Sequence, residues 1–269
     1  MSATFQFLSG VGGIAETSLS YLGGLTQLIG RSLLLLVASP LKPGRRLERA
    51  IRQSIIVGVR AIPIVSLITF FVGVIIALQG AYELRRLGAM QLVPALVAIS
   101  ITRELGPLIT AVVVIGRSGS AFAAEIGTMR VTEELDALQT MALDPLAFLV
   151  APKFLAMAVM VPCLAVWADL MGLLGGSFFG VTSGNFTLAS FLIGVRDSLV
   201  VSDVLSGIIK SLLFGLVITA VGCQEGLSTG GGAEEVGKAT TSAVVISILM
   251  VILIDVVFTA LFYLTGGGS

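Results

Sequence analysis

Five long apolar segments constrain this chain more than any other feature of its sequence. They cover residues 61–82, 87–116, 154–180, 204–224 and 239–263. About 20 apolar residues are enough for a helix to cross the hydrocarbon core of a bilayer, so each segment is long enough to span. Lipid leaves helices or closed barrels as the only spanning structures, and the alternation typical of barrel strands is absent. We therefore predict an all-α membrane protein, a polytopic bundle of about five transmembrane helices with an additional N-terminal interfacial or amphipathic helix.

The composition excludes several functional classes. Only 12 % of the 269 residues are charged, about half the ~25 % of an ordinary soluble domain. The chain has no His, which removes the commonest general base and metal ligand. Its two cysteines, Cys163 and Cys223, lie in apolar runs, and its basic residues are scattered at a net charge of zero. We therefore predict no catalytic residue, no metal site, no cofactor in this chain and no nucleic-acid partner.

The remaining sequence divides around the apolar segments. Residues 1–60 are predicted to form interfacial and basic amphipathic helices, residues 61–263 the transmembrane domain, and residues 264–269 a tail. Within the first part, residues 14–39 are read as a helix lying on the membrane, with a sixth span as the alternative. The longest polar connection, 117–153, joins spans two and three.

The positions of Lys and Arg predict the orientation. Eleven of the 16 flank one side of the five-span arrangement and three flank the other. Because basic residues are enriched in cytoplasmic loops, the N-terminus and the 117–153 connection are predicted to be cytoplasmic and the C-terminus periplasmic.

Four of the five predicted spans contain ionisable residues. A charge that faces lipid at mid-membrane costs about 2.5–3.5 kcal/mol on insertion scales, so these side chains are expected to face one another, a cavity or a second subunit. Lys210 and Asp255 lie at similar depths in spans four and five, which predicts an ion pair. The alternative is that the two groups reach water separately. Asp169 is the ionisable residue of span three.

Span two carries adjacent opposite charges, Arg103 and Glu104, three residues before Pro107. Neighbouring residues on a helix point about 100° apart, so at least one of the two must find a partner elsewhere. Pro107 removes a backbone hydrogen bond and is expected to break or kink the span. Buried charge beside a broken helix is typical of transporter sites. A purely structural ion pair that holds the bundle together is the alternative.

Span three contains a glycine at every fourth position: Gly172, Gly176, Gly180 and Gly184. This spacing predicts one smooth ridge along the helix and its extension. Such ridges let the backbones of membrane helices approach closely, so we expect helix packing here.

The 117–153 connection contains a short acidic amphipathic pattern. Thr132 is the predicted N-cap, followed by Glu133 and Glu134 in the first turn. An apolar stripe at helical spacing includes Leu135, Leu138 and Met141. We interpret this segment as a coupling helix that inserts into a groove on a partner chain. The alternative is that the stripe lies against the membrane.

Residues 232–239 nearly match the phosphate-binding loop of nucleotide hydrolases, but Ala239 replaces the Ser or Thr that the motif requires. No strand precedes the segment, and its two glutamates would repel phosphates. The chain is therefore not expected to be an ATPase itself.

Several motifs occur in an order that resembles the MlaE/YrbE permease family. These are Arg103–Pro107, Gly116–Ala121, Ala124–Arg130, Met141–Pro145 and Val236–Thr241. The resemblance runs from about residue 45 to residue 263. It implies the membrane subunit of an ATP-binding-cassette transporter that moves phospholipid or a related lipid between bacterial membranes and supports the lipid asymmetry of the outer membrane.

The resemblance also implies partners and a site. The permease would lie in the inner membrane as a homodimer, with separate ATPase chains that bind ATP and Mg²⁺, a STAS-domain protein and a periplasmic MCE-domain ring. The family's coupling helix corresponds to residues 125–145, and its lipid cavity opens at the dimer centre. The candidates for the cavity wall in this sequence are Leu78, Gln79, Tyr82, Arg103 and Glu104.

Two other functions remain open from the residues alone. An ion- or proton-coupled secondary transporter would use the intramembrane charges, although the internal repeat typical of such proteins is not visible. A non-transporting scaffold would have no use for buried charge beside Pro107. The lipids and proteins that co-purify with the chain would discriminate among the three.

Overall fold

The five predicted spans are confirmed in the described part of the chain. The computed structural model describes residues 20–32, 34 and 43–264, in which all regular secondary structure is helical. Five helical segments there are long and apolar enough to cross a membrane: Glu48–Arg86, Met90–Val131, Leu146–Thr182, Val201–Leu227 and Ala233–Leu264. We call them spans one to five. Each is longer than predicted, because the helices continue past the apolar core into polar residues.

The helices follow one another with short connections. They are α1 (20–32), α2 (Pro43–Val57), α3 (Ile62–Arg86), α4 (Val93–Ser100), α5 (Gly106–Val114), α6 (Ser120–Val131), α7 (Glu134–Thr140), α8 (Ala151–Thr182), α9 (Leu188–Ser198), α10 (Val201–Leu227) and α11 (Ala233–Leu264). Span two is thus three α-helices joined by two π-helical turns, Ile101–Leu105 and Ile115–Gly119, and a third π turn, Leu146–Val150, opens span three. Such turns carry one extra residue and are frequent at functional sites.

The bundle has two ends, which we name by their residues. The distal end holds Arg86, Thr182 and the start of α10, and the proximal end holds α7 and the start of α11. The charge distribution predicts that the proximal end is cytoplasmic. Buried clusters occupy the middle around Met157 and Phe214 and each end of the bundle.

Spans one and three form the most extensive helix contact, and glycine makes it possible. A Cβ added at Gly73 would overlap the carbonyl oxygen of Gly172, and one added at Gly175 would overlap that of Phe70. The two backbones therefore touch with no side chain between them. Close contact of this kind drives association in lipid, where apolar burial gains nothing.

The predicted glycine ridge is confirmed for its first three members. Gly176 packs against Val97, and Gly180 packs against the ring of Phe191. The prediction is wrong for Gly184, which lies past the end of α8 with a φ of +70° and an open surrounding. It forms the turn that directs the chain into α9, because glycine adopts positive φ without a Cβ clash.

Helix α9, which was not predicted from the sequence, packs along the distal part of span two through Phe191 and Val195. Its start is a capping box in which Thr187 and Ser190 each bond the other's backbone. A Thr followed three residues later by a Ser indicates a possible helix start, so this capping box could have been predicted from the sequence. The helix covers the distal face of the bundle beside the turn after α8.

The N-terminal predictions are only partly described. Helix α1 accounts for residues 20–32 of the segment predicted to lie on the membrane, and the rest of 14–39, apart from Leu34, is outside the described residues. The predicted tail is likewise outside them, except for Leu264. Tyr21 of α1 donates a hydrogen bond of 2.8 Å to Glu225, which ties the helix to the proximal end of α10. Burial, and then the acceptor Glu225, raise the pKa of Tyr21 above its ordinary value.

Candidate functional site

Four side chains from three spans meet inside the membrane region, and we call them the charge cluster: Glu104, Lys210, Asp255 and Thr259. The Lys210 ammonium donates to Glu104 Oε2 at 2.5 Å and to Thr259 Oγ1 at 2.7 Å. It also forms an ion pair with Asp255 Oδ1 at 2.9 Å. Thr259 in turn donates to Glu104 Oε1 at 3.1 Å. The Lys210 side chain is only 2 % exposed, so its charge is balanced by protein groups rather than by water.

The predicted Lys210–Asp255 pair is confirmed. Glu104, which also contacts Lys210, comes from span two and was not predicted as its partner. Glu104 lies in the first π turn of span two, where Gly106 bonds back to the carbonyl of Ile101. The extra residue in this turn rotates the side chains relative to an ideal helix, so helical periodicity does not reveal where Glu104 points.

Arg103 turns away from its neighbour, as adjacent helical positions require. Its Nε lies 3.5 Å from Asp203 Oδ1, and its guanidinium stacks 4.8 Å from the centre of the Phe262 ring. Asp203 also accepts from the backbone N–H of Val200 and so caps the start of α10. Arg103 and Glu104 thus join span two to α10 and α11 through separate contacts.

Asp169 differs from the other intramembrane charges. No ion pair within the described part of the chain includes it, and its Oδ1 is buried without a hydrogen-bond partner there. This oxygen lies directly against Gly106, where an added Cβ would overlap it. A glycine at the break of span two therefore makes the space for the Asp169 carboxyl.

A cavity of about 310 Å³ opens at the distal end of span one, and we call it the distal cavity. Helix α3 contributes Leu78, Ala81, Tyr82 and Arg85 to its wall. The remaining wall comes from Met90, Phe179, Ser183 and Asn185. The cavity combines an apolar floor with polar groups at the predicted membrane surface.

The five residues predicted to line one lipid cavity do not share one cavity in the single chain. Leu78 and Tyr82 line the distal cavity together, whereas Gln79 is exposed outside it. Arg103 and Glu104 face α10 and α11 instead. Among the described residues of one chain, the distal cavity and the charge cluster have no residue in common.

The coupling region forms an elbow at the proximal end. Helix α6 ends at Val131, Glu133 adopts a φ of +60°, and α7 follows. The prediction that Thr132 caps α7 is wrong: its hydroxyl donates to the carbonyl of Thr128, so it ends α6 instead. The left-handed residue Glu133 makes the sharp change of direction between the two helices.

The apolar stripe of α7 faces mainly into its own chain. Leu135 is 2 % exposed and packs with residues of α1, α6 and α10, and Leu138 packs against the same cluster. The prediction that Leu135 enters a partner's groove is therefore wrong, because the proximal end of the bundle already offers it an apolar surface. Met141 is 69 % exposed, and the acidic side chains of Glu133 and Glu134 are also exposed.

An ion pair between a buried lysine and a half-exposed glutamate supports this elbow. Lys153, at the start of α8, donates to Glu125 of α6 at 2.6 Å and lies 4.8 Å from the centre of the Phe122 ring. The lysine side chain is 3 % exposed. This pair was not predicted from the sequence, and it joins α6 to the start of α8 ahead of the turn into α7.

Comparison with known proteins agrees with this architecture. The sequence matches the family described as Permease MlaE over residues 50–261. It is 39 % identical over 227 residues to a probable ABC transporter permease protein of Rickettsia prowazekii, covering 84 % of this chain and 88 % of that protein. It is 41 % identical over 204 residues to a probable ABC transporter permease protein of Synechocystis, covering 76 % and 78 %.

A third relative carries a more specific name. The intermembrane phospholipid transport system permease protein MlaE of Haemophilus influenzae is 36 % identical over 217 residues, covering 80 % of this chain and 83 % of that protein. The match to the family, over residues 50–261, reaches into all five membrane helices and includes the charge cluster, the distal cavity and the coupling elbow. This chain is a multi-pass membrane protein that belongs to the MlaE permease family.

Proposed function

We propose that the chain moves phospholipid between bacterial membranes as the permease subunit of an ATP-binding-cassette transporter in the inner membrane. The observation that carries this proposal is the distal cavity in a chain of the MlaE family. Leu78 and Phe179 offer an apolar surface to an acyl chain, and Tyr82 places a phenol beside it. A phospholipid at a membrane surface presents the same sequence of apolar and polar groups.

A separate ATPase chain would dock at the coupling elbow. Two of the exposed side chains of α7, Glu134 and Asp136, are acidic, and Asp136 is paired with Arg130, whereas its leucines pack inward. We propose that a basic groove on the ATPase receives Glu134 and its neighbours and that Met141 adds an apolar contact. Rigid support from the Lys153–Glu125 pair would carry movement of this elbow into α6 and span two.

The other proposed partners follow from the family. A homodimer would need a span with free surface, and the most apolar window of span five is 11 % buried, compared with 28–56 % for the other four. A STAS-domain protein would act at the cytoplasmic side and an MCE-domain ring at the periplasmic side. ATP and Mg²⁺ would bind to the ATPase chains.

Site-specific photo-crosslinking tests the lipid proposal with a closely matched control. Leu78 and Leu170 are exposed to nearly the same extent, 53 % and 51 %, but only Leu78 lines the distal cavity. A photoreactive residue at position 78 of the assembled complex should capture several times more phospholipid than one at position 170, and capture at 78 should change when ATP and Mg²⁺ are added. Equal capture at the two positions would show that Leu78 contacts only bulk bilayer.

A further inference from the structure

The polar groups of the distal cavity form a specific arrangement at its rim. Arg85 lines the cavity one turn beyond Tyr82, and Asn185 faces it from the turn between α8 and α9. The two residues are 100 positions apart in sequence, so no local motif joins them. The fold alone places a guanidinium and a carboxamide at one opening.

Arg85 has no carboxylate partner in the described part of the chain. The neighbouring arginine of α3, Arg86, contacts an aromatic ring instead. Arg86 stacks over the ring of Tyr82 at 5.7 Å from its centre, but it does not line the cavity. An arginine at a cavity wall with no protein anion keeps all five N–H donors for a ligand. Its planar donor set matches the oxygens of a carboxylate or phosphate.

A short hydrogen-bond chain holds the Asn185 amide in place. The Ser183 hydroxyl donates to the carbonyl of Gly180 at 3.1 Å, and Asn185 Nδ2 donates to that hydroxyl at 2.9 Å. The second N–H of Asn185 has no acceptor among the described residues. A fixed donor of this kind loses little conformational entropy when it binds a ligand.

The apolar part of the cavity wall restricts which anionic ligand the cavity can hold. Leu78, Ala81 and Phe179 lie beneath the polar rim, so a ligand that fills the cavity needs an apolar part directly attached to its anionic group. The cavity volume is at the lower end of the range for ligand sites, which suits a headgroup and glycerol, with the acyl chains continuing into the bilayer.

We propose that Arg85 and Asn185 bind the phosphate of a glycerophospholipid, so that the permease selects phosphate-bearing lipids over uncharged diacylglycerol. This inference rests on the proposed lipid transport and identifies the group that the distal cavity recognises. The phosphodiester oxygens accept from the Arg85 guanidinium and from the free N–H of Asn185. Diacylglycerol has the same apolar part but offers no charge to the arginine.

The test compares two photoactivatable lipids with identical acyl chains, phosphatidylglycerol and diacylglycerol, added to the full chain purified with the proteins that accompany it. We expect about tenfold more capture of phosphatidylglycerol by the wild-type chain, since a charge-assisted hydrogen bond contributes a factor of this order. Arg85→Gln should bring the ratio close to one, and Asn185→Ala, which removes only a neutral donor, should lower it by a smaller factor, while both leave diacylglycerol capture unchanged. That unchanged capture also shows that the variants are folded.

Arg86→Gln is the matched control, because it removes the same charge from the neighbouring position outside the cavity. Its ratio should stay at the wild-type value, and an equal loss would show that only surface charge matters. A wild-type ratio of one would overturn the phosphate site but leave lipid transport standing, whereas no capture of either lipid would contradict the proposed function itself. Added glycerol 3-phosphate, which carries the phosphate without the apolar part, should reduce capture only at a large excess; displacement at a concentration equal to that of the lipid would overturn the assignment to a lipid.

Discussion

Replacing Lys210 should harm the protein far more than replacing either carboxylate that it contacts. Lys210→Met leaves Glu104 and Asp255 facing each other without a cation. Asp255→Asn leaves the Lys210–Glu104 pair intact and removes the surplus negative charge of the cluster. The two variants each change one member of the same ion pair, yet the geometry predicts very different costs.

The size of the effect follows from exposure. Breaking a buried ion pair by removing one partner costs about 3–5 kcal/mol. Asp255 is 17 % exposed and has little access to solvent, but Glu104 is 36 % exposed and can recover part of its hydration. We therefore expect Lys210→Met to lower the free energy of unfolding by about 3 kcal/mol, and Asp255→Asn to lower it by about 1 kcal/mol or less.

Neutralising the whole cluster provides the decisive comparison. The triple variant Lys210→Met/Glu104→Gln/Asp255→Asn carries no unpaired charge and should recover at least half of the Lys210→Met loss. The double variant Lys210→Met/Asp255→Asn should recover less, because Glu104 remains charged. Titration of the purified chain with SDS in mixed micelles, followed by circular dichroism, measures these free energies. Equal stability of Lys210→Met, Asp255→Asn and the wild type would refute the reasoning.

Two further predictions concern packing and coupling. Gly73→Ala should destabilise the chain by several kcal/mol in the same titration, because the added methyl overlaps the backbone of Gly172. Gly237→Ala, with open space around it, should be neutral or stabilising. Comparable losses of stability in the two variants would contradict the backbone contact. Glu134→Lys should reduce retention of the ATPase chains on the purified complex about fivefold at low salt. Glu83→Lys, at an exposed position of the distal end, should leave retention unchanged. Unchanged retention in both variants would exclude an electrostatic role for α7.

The sequence alone determined the number and the class of the membrane helices. Insertion depends on the length and apolarity of each segment taken separately, so local composition is sufficient to predict five spans. The pairing of Lys210 with Asp255 was predictable for a related reason. Depth along a helix axis follows directly from residue number, and an unpaired charge in lipid is costly.

The tertiary structure decided what depends on rotation about each helix axis and on contacts between distant segments. The π turn at Ile101–Leu105 changes the direction of Glu104, and an apolar surface at the proximal end draws Leu135 inward. The turn after α8 brings Asn185 to the same cavity as Arg85. None of these follows from periodicity, because each is set by packing between segments that the sequence separates.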